Sequence, residues 1–137
     1  MIDPSRIRGA VIGIGCDLVD IERVREMHER HGERCLQRIY SPEEQAYCLK
    51  MRNPYPSLAA RFAAKEAVSK AFGTGIGKEF GLLSLSVGKG EQGEPIAILD
   101  EQGEALLRKV GGTDILLSLS HTSTQAMAFA VIVCKDR

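Results

Sequence analysis

Glu66 and Lys70 stand four residues apart in the run Arg61-Phe62-Ala63-Ala64-Lys65-Glu66-Ala67-Val68-Ser69-Lys70-Ala71-Phe72-Gly73-Thr74-Gly75-Ile76-Gly77. On a helix that spacing stacks a carboxylate and an ammonium one turn apart on one face. Such a pair can hold a metal ion and a phosphate side by side. Ala63, Ala64, Ala67, Val68 and Ala71 crowd around these charges more densely than a solvent-facing helix requires, and Lys65 sits among them. The glycines that follow let a backbone approach a ligand closely or take positive φ. The same letters also describe an ordinary amphipathic helix with an i,i+4 ion pair and a glycine C-cap. This block alone leaves both readings open.

Two other segments carry reactive side chains. Asp17 interrupts the apolar run Val11-Ile12-Gly13-Ile14-Gly15-Cys16-Asp17-Leu18-Val19-Asp20, which reads as a buried strand. A buried carboxylate is costly unless it is paired, hydrogen-bonded or bound to a metal, so Asp17 requires a partner. His121 closes a third run, Ile115-Leu116-Leu117-Ser118-Leu119-Ser120-His121, and Thr122-Ser123-Thr124 follows as a hydroxyl-rich turn. By itself His121 reads as a histidine capping a hairpin.

Taken together, Gly13-Ile14-Gly15-Cys16-Asp17-Leu18-Val19-Asp20-Ile21, the Arg61–Gly77 block and Ser118-Leu119-Ser120-His121 resemble the holo-[acyl-carrier-protein] synthase family, the small 4'-phosphopantetheinyl transferases. The segments fall in family order and spacing, and the resemblance runs from about Arg8 to Val133. It implies transfer of the 4'-phosphopantetheine arm of coenzyme A to a serine of apo acyl carrier protein, in support of fatty acid biosynthesis, with adenosine 3',5'-bisphosphate released. It assigns Asp17 and Glu66 to a Mg²⁺ ion, and Asp17, Glu66, Lys70 and His121 to catalysis. Magnesium suits such a site because it takes oxygen ligands from one or two carboxylates, phosphates and water. Lys70 is placed to meet a phosphate oxygen as a point charge. Glu66 or a coordinated water is the candidate base, and the sequence leaves that choice open. Lys65, Lys70, Gly73, Gly75, Ser120, His121 and Thr122 are the expected coenzyme contacts. For Lys65 a solvated or intersubunit ion pair is an equal alternative.

Acyl carrier proteins are acidic, and Arg23 and Arg25 lie on the helix that in this family docks the carrier; Arg30, Arg6 and Arg8 are further candidates. Interleaved Glu22 and Glu26 make any basic patch local. The family is trimeric with active sites between protomers, so the resemblance also implies a homotrimer. The competing function is an inactive module, or a regulator, that binds coenzyme A or a carrier protein without transfer. A third alternative is an unrelated α+β domain whose charged helix is structural.

The elements that must position these residues follow from local signals. Asp20 is an expected N-cap for a helix over Ile21 to His31, stopped by Gly32. Ser41-Pro42-Glu43-Glu44 gives a Ser N-cap, a first-position proline and a Glu at the third position. That helix ends before Asn53-Pro54-Tyr55-Pro56. Ser57 opens the alanine-rich helix. Leu82 to Val87 and Pro95 to Leu99 read as paired strands, Glu101 to Val110 as a helix, and Ile115 to His121 and Gln125 to Cys134 as a hairpin. Helices with mainly antiparallel strands in one layer, packed on a long helix, define an α+β fold. One domain over residues 8–137, after an extension of residues 1–7, accounts for the length. The G-x-G-x-G run follows its helix instead of opening one, which excludes a phosphate-loop or dinucleotide motif.

Composition bounds the rest. The 137 residues carry eighteen acidic and eighteen basic side chains and no Trp, which argues against a nucleic-acid surface. No apolar run approaches the roughly 20 residues of a membrane span, and the first residues lack a signal peptide's apolar core, so a cytoplasmic protein is expected. Cys16, Cys35, Cys48 and Cys134 form no C-x-x-C pair, and Cys16 is expected as a buried, inert thiol. His28 and His31 are expected to be exposed.

Overall fold

The computed structural model describes residues 9–135. Within them the elements run β1 (Ala10–Asp20), α1 (Ile21–His31), α2 (Glu33–Ile39), α3 (Pro42–Leu49), α4 (Tyr55–Phe72), a 3₁₀ turn (Leu82–Ser84), β2 (Leu85–Lys89), β3 (Pro95–Leu99), α5 (Glu101–Lys109), β4 (Asp114–His121) and β5 (Gln125–Cys134). The expected N-terminal extension, and Arg6 and Arg8, lie outside the described residues.

The α+β class holds, but the strands do not form one layer. They make a three-stranded antiparallel sheet in the order β1-β5-β4 and a separate β2-β3 hairpin. Leu82–Ser84 is a 3₁₀ turn and not strand, because Ser84 Oγ accepts from the Gly81 amide and so closes the turn. The helix α2 was not expected; Gly32, at φ 68°, turns the chain out of α1 and directly into it. The long helix begins at Tyr55, two residues before the Ser57 start expected. Pro54 holds the N-cap position and Pro56 falls in the first turn, where a missing N–H costs nothing, and Asn53 Oδ1 accepts from the Tyr55 amide at 3.2 Å. The capping box at Ser41 is as read: the Ser41 hydroxyl accepts from the Glu44 amide and Glu44 accepts from the Ser41 amide.

The three-stranded sheet lays one face on α4. Ala126, Ala128, Ala130 and Ile132 of β5 are fully buried there, against Ala63, Ala64, Ala67 and Val68. Small residues on both sides allow a close approach, and at two places the approach is closer still. A methyl group at Gly13 would overlap the Ala71 carbonyl oxygen, and one at Gly15 would overlap that of Ala67. Backbone therefore packs on backbone. Two strand residues advance about 6.6 Å and four helix residues about 6 Å, so the steps stay matched as β1 runs against α4. Gly13 meets Ala71, Gly15 meets Ala67, and the next step brings Asp17 to the turn that carries Glu66.

Among the described residues no helix packs on the other face of this sheet. Ile14, Val131 and Leu116 align in one row across the strands, Cys16, Phe129 and Ser118 in the next, and Leu18, Met127 and Ser120 in the third. Ile14 is 62% exposed and Leu18 58%, with Leu116, Met127 and Phe129 also open. The expectation of a buried strand with a buried Cys16 is thus corrected: Cys16 is exposed in the single chain, because its side chain falls on the face that α4 does not cover.

Candidate active site

Asp17 and Glu66 share a cleft of about 410 Å³ bounded by Leu18, Val19, Asp20, Arg23, Val24, Met27, Phe62 and Gln125. Their proximity shows in the acid strength of Glu66. Burial raises the Glu66 pKa above its ordinary value, the Asp17 charge raises it further, and the Lys70 ammonium opposes both. Lys70 does not pair with Glu66 along its own helix. Its Nζ crosses to Asp17 Oδ1 at 3.0 Å and to the Cys16 carbonyl at 3.1 Å, and this bond to Asp17 raises the Lys70 pKa. Two carboxylates crowded until one resists ionising form an oxygen-donor pair that a divalent cation would relieve. The donor set fits magnesium. No cluster of three or more His, Cys, Asp or Glu that could hold a metal occurs among the described residues.

His121 lies elsewhere. With Ser120 it lines a second cleft, of about 460 Å³, walled by Tyr47, Ser57, Arg61, Val87, Gly88 and Lys89 among others. Phe62 and Glu66 face the first cleft, whereas Pro56, Ser57, Ala60 and Arg61 face the second, so α4 stands between them. Arg61 is the unusual residue here. It is 5% exposed, its Nη1 donates to Ser57 Oγ at 2.6 Å, and its Nε has no partner. No ion pair to it occurs among the described residues. A buried guanidinium without a carboxylate is costly, and it makes this cleft ready for an anion.

A single α+β domain thus carries a carboxylate cleft and, across α4, a cationic one. The 4'-phosphopantetheinyl transferase superfamily model matches residues 13–130, which contain both clefts. The chain belongs to this superfamily. The holo-[acyl-carrier-protein] synthase of Chlamydia muridarum is 43% identical over 121 residues, 88% of this chain and 94% of that one. The enzyme of the same name from Chlamydia caviae is 44% identical over 118 residues, covering 86% and 93%. Among solved structures, the holo-[acyl-carrier-protein] synthase of Neisseria meningitidis superposes with a TM-score of 0.84 at 32% identity, covering 90% of this chain and 98% of that one. The Helicobacter pylori synthase in complex with coenzyme A superposes at 0.78 with 33% identity, covering 87% and 98%.

Of the family positions expected to bind coenzyme, Lys65 is corrected. Its side chain is fully buried; Nζ donates to Glu44 Oε1 at 2.8 Å, to the Leu82 carbonyl at 2.9 Å and to the Leu85 carbonyl. All three ammonium protons are used, so none is left for a ligand. Glu44 in turn accepts from the Val87 amide at 3.0 Å, and the pair thereby ties α3, α4 and β2 together. Burial pulls the Lys65 pKa down while Glu44 holds it up.

Gly73 and Gly75 take φ of 80° and 64°, and the Thr74 and Gly75 amides donate to the Ser69 carbonyl. Their freedom goes into ending α4, and they line neither cleft. Thr122 Oγ1 accepts from the Thr124 and Gln125 amides and so fastens the β4–β5 turn. Arg23 lines the carboxylate cleft, while Arg25 faces a different side and is held by Glu22 and Glu29. His28 is half-buried, its Nδ1 2.9 Å from the Tyr55 hydroxyl, and only His31 is fully exposed as expected. Arg61 was given no role in the sequence, although a lone arginine among alanines was the available signal. Tyr47 and Lys89 lie in distant segments and gave none.

Proposed function

We propose that the chain transfers the 4'-phosphopantetheine arm of coenzyme A to a serine hydroxyl of an apo acyl carrier protein. The serine oxygen attacks the β-phosphorus, the bond to the bridging oxygen of the pyrophosphate breaks, and adenosine 3',5'-bisphosphate leaves. The observation that carries the reading is the Asp17–Glu66 carboxylate pair with Lys70 beside it. Magnesium held by these two carboxylates would offset pyrophosphate charge. Lys70 then meets a phosphate oxygen, and Glu66 or a coordinated water takes the serine proton. Arg23, at the rim of the cleft, meets the acidic carrier.

Arg61, Lys89 and His121 receive the nucleotide end of coenzyme A in the second cleft. Because α4 separates the clefts within one chain, a single coenzyme is spanned by groups from two chains. The bare apolar sheet face supports this, since a patch carrying Ile14, Leu18, Leu116, Met127 and Phe129 favours burial against further copies. The assembly is a homotrimer with its sites between protomers.

Intact-mass spectrometry of an apo acyl carrier protein incubated with the chain, coenzyme A and Mg²⁺ tests the reaction. A phosphopantetheine increment that vanishes with chelator supports it. Binding of coenzyme A without any increment on several carriers would instead make the chain a binding module. Mixing Asp17→Ala chains with His121→Ala chains tests the shared site: partial recovery is expected, and none in verified mixed oligomers would put both residues in one chain's site.

A further inference from the structure

Lys89 and Arg61 both come within reach of one ring. The Lys89 ammonium lies 4.7 Å and the Arg61 guanidinium 4.5 Å from the centre of Tyr47, with Lys50 farther out at 5.8 Å. Arg61 comes from α4, Lys89 from the end of β2 and Tyr47 from α3, so three separate elements meet at this ring. We propose that Tyr47 is the positioning residue of the cationic cleft, its ring gathering Arg61 and Lys89 into one phosphate-binding pair. The proposal rests on the reading that this cleft takes the nucleotide end of coenzyme A.

Two like charges brought to one wall repel, and something must hold them there. A carboxylate would do so but would cancel their charge and repel the incoming phosphate. The face of an aromatic ring attracts each cation through its quadrupole and leaves their full charge available. Glu43 borders the adjoining groove with Tyr47, Arg61 and Lys89, yet forms an ion pair with neither cation. The ring is itself held firmly. Glu44, three residues earlier on α3, is locked by Lys65 and by the Val87 amide of β2. The buried pair therefore fixes α3 to the strand that carries Lys89, and Tyr47 bridges the remaining gap to Arg61.

The test uses the whole chain, calorimetric titration with coenzyme A and steady-state kinetics with an acyl carrier protein. Tyr47→Leu is expected to weaken coenzyme A binding and raise its KM about 10-fold, the scale of depriving two cations of an aromatic face, with kcat at saturation within about two-fold of the parent. Tyr47→Phe, which keeps the ring, is expected to restore both. Arg61→Gln serves as the reference for the cleft. If Arg61→Gln weakens coenzyme A binding and Tyr47→Leu does not, the role of Tyr47 is overturned while the cleft stands. If neither changes binding, the cleft is not the coenzyme site and the underlying reading fails with it. A Tyr47→Phe variant as impaired as Tyr47→Leu would shift the role from ring to hydroxyl and overturn the proposal. So would failure of both Tyr47→Leu and Tyr47→Met to fold, which would make the ring a packing element.

Discussion

Lys65 and Lys70 sit five residues apart on the same helix and do opposite work. Lys65 is fully buried, with its three protons committed to Glu44 and two carbonyls, and it holds α3, α4 and β2 in register. Lys70 is exposed, with one carboxylate and one carbonyl for company, and keeps the freedom to change partners. Helix geometry separates them: five positions amount to about 500° of rotation, so one points into the protein and the other toward the carboxylate cleft. Charge at a site therefore says little until every hydrogen bond it makes has been counted. A lysine with every proton committed supports a fold, and one with protons to spare can serve a reaction.

Lys65→Met is the most severe challenge to this contrast. Removing one partner of a buried pair leaves Glu44 charged and uncompensated, and a loss of about 3–5 kcal/mol is expected in denaturant unfolding. Adding Glu44→Gln should recover part of it, because it removes the uncompensated charge, although its single carbonyl oxygen accepts from only one of the Ser41 and Val87 amides that Glu44 serves with two. A fully stable Lys65→Met chain would erase the distinction. Glu66→Gln should do the reverse, leaving the fold intact while lowering transfer by about 10²–10³-fold in a carrier-modification assay. Near-normal turnover would remove Glu66 from the chemistry. Lys70→Met is expected to cost less than about 1 kcal/mol of stability, as exposed pairs do, while transfer falls about 10-fold or more.

The smallest effect concerns pH. The folded-state pKa of Glu66 is raised above its ordinary 4.5, so the folded chain binds the proton more tightly than the unfolded one. The resulting stability is fully present below the unfolded value and is lost as pH rises through the folded one. Glu66→Gln should consequently raise Tm at pH 7 by about 1–3 °C, with the gain shrinking to nothing below pH ~4. A gain that persists in acid would show that the side chain's charge is not its source.

Local signals in the sequence carried much of this. The Ser41 capping box, the Gly32 stop and the β4–β5 hairpin depend on residues within four positions of one another, and all appear as read. What escaped depends on distance in sequence. Glu44 was legible as a cap but not as the partner of Lys65, 21 residues away. The apolar letters of β1 suggested burial on both faces, whereas only the α4 side is covered in one chain, which is why Cys16 is exposed. The separation of His121 from Asp17 by α4 required the packing itself. Asp17 and Glu66 were recognisable as a set through the family resemblance of the segments that carry them, since nothing in their spacing joins them; Tyr47 and Lys89 lie outside those segments.

Where β1 meets α4 the joint is stiff. With Gly13 and Gly15 lying against the Ala71 and Ala67 carbonyls, no side chain intervenes that could rotate to absorb a change. The backbones that carry Asp17 and Glu66 are therefore held at main-chain contact. A bulkier residue at either glycine would wedge the strand outward and carry Asp17 away from Glu66, which in the proposed site would favour ions of larger radius than magnesium. In the proposed magnesium site, metal preference would then be a ruler for how tightly one strand is pressed onto one helix.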